Sequence, residues 1–124
     1  MALIDTSLGR GADVSVIAAG LTGNTSSDIV YRGNRYKGGA VKITSTIGST
    51  PTVTVNLQGS MDGTAWYNVP YALVATPRTF VLTAVTITTA VTTTYLLQEE
   101  VAYQFFKFVT TANTNVTLAA TAYL

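Results

Sequence analysis

The sequence has no cysteine and no histidine, and only 10% of its 124 residues are charged. Without cysteine the chain has no disulfide, no thiol nucleophile, and no ligand for a zinc finger or an iron–sulfur cluster. Without histidine it lacks the usual general base, the usual proton shuttle and the commonest metal ligand. These absences exclude most hydrolase and metalloenzyme mechanisms, and they predict a chain that carries no metal and no cofactor.

The few charges are almost balanced, with seven Lys and Arg against six Asp and Glu. The densest basic cluster comprises Arg32, Arg35, Lys37 and Lys42, which is small for a surface that neutralises several phosphates. No apolar run approaches the roughly 18 residues of a membrane span, and the N-terminus lacks the basic segment of a secretory signal. We therefore expect no nucleic-acid partner, no membrane association, and synthesis in the cytoplasm of the cell that makes the protein.

Residues that favour β-strands are abundant: the chain contains 23 threonines, 14 valines and seven tyrosines. Such side chains fit a pleated sheet and lose rotamer freedom in a helix. Apolar and polar residues alternate in 40–44, 52–58 and 116–124, which is the period of a strand with one buried face. The stretch 78–97 predicts one long strand or two shorter ones with a break near Thr88, and Phe80, Leu82, Val85, Ile87 and Val91 are its apolar candidates.

A further strand is predicted at 103–110, where aromatic residues occupy both faces, so that it is covered on both sides or faces a partner. Turn residues separate the predicted strands at 48–51, 62–63, 76–77 and 113–115. Many short strands at this spacing predict an all-β domain, a sandwich or a barrel, over residues 28–124. Residues 1–27 are richer in glycine and polar residues and read either as an extended N-terminal arm or as a first edge strand.

The carboxylates show no spacing typical of a metal loop or of a catalytic pair; they are Asp5, Asp13, Asp28, Asp62, Glu99 and Glu100. Glu99 and Glu100 are adjacent, so in a strand they would point to opposite faces. No histidine is present to activate a serine. An enzyme that uses two carboxylates from distant parts of the chain stays open as a third and weaker alternative.

The most distinctive segment is 57–69, in which an alternating strand runs into Ser60-Met61-Asp62-Gly63 and the single tryptophan, Trp66, follows. Asp62 can accept hydrogen bonds from nearby main-chain groups and Gly63 can adopt positive φ, so this pair predicts a tight hairpin that Trp66 covers. The alternative is functional: Trp66, Tyr67 and Tyr71 would form an aromatic platform for a sugar ring.

The strand followed by Ser-x-Asp-Gly-x-x-Trp at 60–66, the aromatic strand at 103–109 and the segment 113–118 resemble small β-sandwich proteins of tailed bacteriophages. Capsid decoration, or cement, proteins are the nearest type. The resemblance covers about residues 40–124. It implies a jelly-roll-like sandwich, often a trimer, that binds the major capsid protein at the capsid surface of the virion and has no catalytic activity. Similar turns occur in jelly rolls that bind carbohydrate, so a carbohydrate-binding module of a tail or surface fibre remains the alternative.

The leading hypothesis is therefore a virion structural protein that stabilises a phage capsid by bridging neighbouring subunits. Its candidate contacts with the capsid or with an adjacent protomer lie in the N-terminal segment and are Leu3, Ile4, Leu8 and Arg10. The uncharged stretch 85–94 has high β-propensity, so we expect it to be covered within the sandwich or at a subunit interface.

Overall fold

The computed structural model describes residues 3–5, 14–31, 39–98 and 103–123, and the described residues form nine β-strands and no helix. The strands are β1 (Leu3–Asp5), β2 (Val14–Leu21), β3 (Ile29–Tyr31), β4 (Gly39–Ser60), β5 (Trp66–Asn68), β6 (Tyr71–Leu73), β7 (Val85–Ile87), β8 (Thr92–Leu97) and β9 (Phe105–Tyr123). The prediction of an all-β chain is confirmed.

Two long antiparallel strands, β4 and β9, form the centre of the sheet and pair along most of their length, from Ala40 opposite Tyr123 to Ser60 opposite Phe105. On the far side of β9 lie β3 and β2, and β1 pairs in parallel with β3. On the far side of β4 lie β8, β7 and β5, and β6 pairs with β8. All nine strands therefore belong to one hydrogen-bonded sheet.

The central pair bends where its register shifts. Ile47 pairs with Val116 and the next pair joins Thr52 to Thr114, so residues 48–51 of β4 oppose a single residue of β9. A second shift follows between Thr52 and Thr54. Extra residues in one strand increase the local twist and bend the pair. We call residues 46–52 and 111–116 the corner.

Among the residues that the structure describes, three non-glycine residues have positive φ, and all of them lie at the corner: Thr50 (45°), Ala112 (51°) and Asn115 (54°). Side-chain amides hold this backbone in place. Asn115 Nδ2 donates to the carbonyl of Ser49 at 2.6 Å, and Asn113 bonds both the N–H and the carbonyl of Val116. These bonds offset part of the cost of the left-handed conformation, which asparagine tolerates better than most residues.

The corner divides the sheet into two parts. The first half-sheet contains β2, β6, β8 and residues 39–47 and 116–123, whereas the second contains β1, β3, β5, β7 and residues 52–60 and 105–114. One hydrophobic cluster includes buried residues from both parts, such as Val41 and Leu118 from the first and Val55 and Phe108 from the second. The two half-sheets therefore face each other across one core, and the predicted sandwich is confirmed.

Alternation in the sequence identified the inward residues of the long strands correctly. Val53, Val55 and Leu57 are at most 3% exposed, and Val116, Leu118, Ala120 and Ala122 show the same pattern in β9. The prediction of turns at 48–51 and 113–115 was wrong. These segments lie opposite each other at the corner, so both strands bend together and continue instead of reversing.

The stretch 78–97 contains the two shorter strands of the prediction, β7 and β8, and the break falls at 88–91. Ile87 is buried, but Phe80, Leu82 and Val91 are 37%, 57% and 42% exposed and do not belong to the core. Burial thus covers only part of the uncharged stretch 85–94, since residues 88–92 are exposed.

Candidate interaction site

The hairpin between β4 and β5 is the first candidate site, because it carries Asp62, Gly63 and Trp66. Ser60 pairs with Trp66, so the loop spans residues 61–65. The N–H groups of Thr64 and Ala65 donate to Asp62 Oδ1 at 2.8 and 2.9 Å, and Gly63 has a φ of 82°. Asp62 and Gly63 therefore close this loop as the sequence predicts.

Ser60 supports the same loop from the strand. Its Oγ donates to Asp62 Oδ1 at 3.1 Å and accepts the N–H of Gly63 at 2.8 Å. The N–H groups of Ala65 and Thr64 and the hydroxyl of Ser60 lower the pKa of Asp62 below its usual value of 3.8, because all of them stabilise the carboxylate. Asp62 is exposed, and its carboxylate oxygen is engaged in shaping the loop.

Aromatic rings line the outer face of the second half-sheet beside this hairpin. Tyr31 and Phe105 pair across β3 and β9 with ring centroids 4.8 Å apart, and a Cβ on Gly63 would lie 3.4 Å from the ring of Phe105. Phe105 is therefore covered from outside, while Phe106 points into the core. The strand is covered on both faces, which was one of the two readings of its aromatic pattern.

Trp66 and Lys107 form a further contact on this face. Lys107 Nζ lies 4.2 Å from the centroid of the Trp66 ring, within the range of a cation–π interaction. The tryptophan is half-buried and its ring is occupied by the chain's own lysine. Trp66 therefore lies against Lys107 of β9 on the outer face of the second half-sheet.

The three aromatic residues of the carbohydrate hypothesis do not form one platform. Trp66 and Tyr67 are consecutive in β5, so they point to opposite faces, and Tyr67 packs against the core. Tyr71 lies in β6, where it also packs against the core and makes an edge contact with Tyr95 at 5.4 Å. A sugar ring needs a continuous aromatic face, and these side chains do not provide one.

The predicted contacts in the N-terminal segment are only partly described. β1 pairs in register with β3, so that Leu3 lies opposite Ile29 and Ile4 opposite Val30. Leu3 is 60% exposed. Leu8 and Arg10 lie outside the described residues. β2 pairs with β9 of the same chain, so both described strands of residues 1–27 add to the sheet.

A second surface was missed by the sequence reasoning. The segment 73–84, which we call the apolar loop, connects β6 to β7 and is exposed throughout. Tyr71 and Val81 exchange two main-chain hydrogen bonds of 2.9 Å that fix its base, and a turn follows β6 where the N–H of Thr76 donates to the carbonyl of Leu73. Its exposed apolar side chains are Leu73, Val74, Phe80, Val81 and Leu82.

An open groove of about 450 Å³ lies beside the apolar loop. One wall consists of loop residues that include Leu73 and Val81, the other contains Val85 and Thr86 of β7, and Tyr95 of β8 also lines it. The described lining contains no charged residue. The sequence held a signal for this surface, since Arg78 is the single charged residue between Asp62 and Glu99.

The described residues also set limits on other chemistry. Among them, no three carboxylates approach closely enough to hold a metal ion. Nor does this part of the chain contain a helix of the length and apolarity that a membrane span requires. Of the basic cluster, Lys42 lies in β4, while Arg32, Arg35 and Lys37 fall outside the described ranges.

No protein-family model matches the chain, and no curated protein matches it in sequence. One solved structure is similar in fold: the SPBc2 prophage-derived protein YomS, with a TM-score of 0.58 and 9% sequence identity. The similarity covers 91% of this chain and 93% of YomS. It therefore extends over most of both chains, and at this identity what the two chains share is the fold.

Proposed function

We propose that the chain is a non-enzymatic structural protein of a tailed-bacteriophage virion that decorates the capsid. The observation that carries the proposal is the match with YomS, because the similar protein derives from a prophage and the similarity covers nine-tenths of both chains. The hairpin motif at 60–66, on which the resemblance to decoration proteins rests, forms a well-bonded structural loop.

In this role the protein binds the major capsid protein at the outer surface of the head and bridges neighbouring capsid subunits. Such a function depends on buried area and strand pairing, and it needs neither a cofactor nor a titratable catalytic group. The proposed assembly is a homotrimer, since several weak contacts in one particle raise the overall affinity by several orders of magnitude.

The proposed capsid contacts begin at the N-terminus with Leu3, Ile4, Leu8 and Arg10. β1 stands at one end of the strand order and pairs with β3. A strand at the end of a sheet can accept a further strand from a partner, and the exposed side chain of Leu3 would add apolar contact to that pairing.

The test is binding to undecorated heads of the phage that encodes the chain, measured as copies retained per head after sedimentation. Wild-type protein should saturate the heads and raise the temperature at which they rupture. Leu3→Asp should lower occupancy at least tenfold, whereas Met61→Asp, which changes a residue of similar exposure (64% against 60%), should not. Absence of wild-type binding would refute decoration, and equal occupancy of the two variants would remove the N-terminal segment from the contact.

A further inference from the structure

The apolar loop exposes a large apolar surface to water. Val74 is 60% exposed, Leu82 57%, Leu73 45%, Val81 40% and Phe80 37%. Together they expose on the order of 400 Å² of apolar surface, which is comparable to the largest apolar patch of an ordinary monomer, and patches of that size are often functional. The loop therefore exposes enough apolar area to serve as a contact surface.

The loop presents side chains in two directions. Leu73 and Val81 line the groove, whereas Val74, Phe80 and Leu82 are not part of its lining. One surface of the molecule thus carries both projecting apolar side chains and an apolar groove next to them. A standard protein interface buries about 800 Å² per partner, which is more than the projecting side chains expose by themselves. The groove next to them supplies a second apolar surface that the same interface would bury.

The distribution of charge indicates what occupies the groove. Between Asp62 and Glu99 the chain contains one charged residue, Arg78, while its other charges lie elsewhere in the sequence. Charged residues are depleted at the centre of interfaces, because a buried unpaired charge is costly. A partner for this surface should be apolar and carry almost no charge, and the apolar loop of another copy, whose one charged residue is Arg78, has that chemistry.

We propose that copies of this chain assemble by placing the apolar loop of one copy into the groove of the next. The contact joins two different surfaces, so its repetition closes into a ring if the rotation between copies permits. A ring of three is the trimer of the proposed function, and in that respect the inference rests on it. The association itself takes place in solution and requires no capsid.

The first experiment measures the mass of the purified protein by sedimentation equilibrium over a range of concentrations. Wild type should have the mass of three 13.1 kDa chains. Val74→Asp and Leu82→Asp should shift the mass to one chain at concentrations where wild type is assembled. Val16→Asp is the matched control, because it makes the same change on β2 at a residue whose exposure is close to that of Val74, 62% against 60%. It should stay assembled.

The second experiment locates the contact, using the absence of native cysteine. Leu82→Cys and Thr86→Cys proteins, mixed and oxidised, should form a disulfide between the loop of one copy and the groove of another. A mixture of Val16→Cys and Thr86→Cys should not. Circular dichroism and the thermal midpoint show whether each variant is folded, and the cysteine pairs keep the test valid should an aspartate variant unfold.

The outcomes separate this inference from decoration. A wild type that is monomeric at all concentrations overturns the inference even if it binds heads, and loss of head binding in the Val74→Asp monomer would then assign the surface to the capsid. A wild type that assembles and cross-links as described, yet fails to bind heads, supports the loop-in-groove contact and refutes decoration instead.

Discussion

Gly59→Ala tests how tightly β4 packs against Val69 and Tyr103. Gly59 lies in β4 on the inward face, and a Cβ added there would be 2.9 Å from Tyr103 Cβ, 2.9 Å from Val69 Cγ2 and 3.1 Å from Tyr103 Cγ. Both neighbours are nearly fully buried, at 3% and 2% exposed. The two closest atoms are attached close to the backbone, so neither can move aside by a simple rotation of a side-chain end.

Two effects oppose each other in this substitution. Alanine reduces the conformational freedom of the unfolded chain, which stabilises a protein by about 0.4–1 kcal/mol where the native backbone suits it. Extra volume in a well-packed core costs about 1–3 kcal/mol. Contacts of 2.9 Å place Gly59→Ala toward the upper part of that range, so we expect a net loss of about 1–2 kcal/mol in the free energy of unfolding.

Urea unfolding followed by the fluorescence of Trp66 measures this loss. With a slope of about 1–3 kcal/mol per molar urea, the midpoint should fall by roughly 1 M at unchanged slope. Gly23→Ala is the matched control, because nothing lies within 4 Å of its added Cβ, and it should leave the midpoint unchanged or slightly raised. A Gly59→Ala protein as stable as wild type would refute the close packing of β4 against Val69 and Tyr103.

Three other substitutions test the hairpin, the loop between β7 and β8, and the outer face. Asp62→Asn should make the stability of the protein less dependent on pH at low pH. The fold lowers the pKa of the Asp62 carboxyl, so the carboxylate stabilises the folded state above its usual pKa of 3.8. In wild type that contribution is lost as the pH falls below this value, and Asp62→Asn has no such contribution to lose. Ser45→Ala should cost about 1 kcal/mol, because Ser45 Oγ donates to one main-chain carbonyl of the loop between β7 and β8 at 2.6 Å and accepts an N–H of that loop at 3.1 Å. Lys107→Met should cost about 0.5–1 kcal/mol and change the emission of Trp66, since it removes the cation above the ring.

Each of these has a result that would contradict it. If lowering the pH from 7 to a value below 3.8 reduces the urea midpoint by the same amount in wild type and in Asp62→Asn, the Asp62 carboxylate is not coupled to folding. Equal losses of stability in Ser45→Ala and Ser49→Ala would contradict the role given to the Ser45 hydroxyl. Ser49→Ala is the control, because Ser49 lies in the same strand, is exposed and offers only its carbonyl to Asn115. It should change stability by less than about 0.5 kcal/mol. An unchanged Trp66 spectrum in Lys107→Met would rule out the ring contact.

Several features were predictable because they depend on local physics. Period-two alternation identified the inward residues of β4 and β9, since a strand that buries one face must place every second residue in the core. The Asp62-Gly63 loop was predictable for a similar reason. A short carboxylate and a residue that accepts positive φ satisfy the main chain of a hairpin without help from elsewhere in the fold.

Other features could not be predicted because they depend on what lies across the sheet. Residues 48–51 and 113–115 have the composition of turns, and each would reverse the chain if it stood alone. They face each other in a long antiparallel pair, so their extra residues are absorbed as a shared bend. Likewise, the spacing of Trp66, Tyr67 and Tyr71 suggests a platform, whereas strand geometry and the pairing of β6 with β8 direct them to different places.

The sequence by itself determined that this protein is all-β, which residues of the alternating segments in β4 and β9 face the core, and that it contains no histidine and no cysteine. Those properties follow from composition and from a period that each strand carries alone. Only the tertiary structure decided that two long strands bend together to form both halves of the sandwich, and that the apolar loop 73–84 stays exposed beside a groove. Both depend on contacts between residues distant in sequence, because neither register nor exposure is a property of one segment.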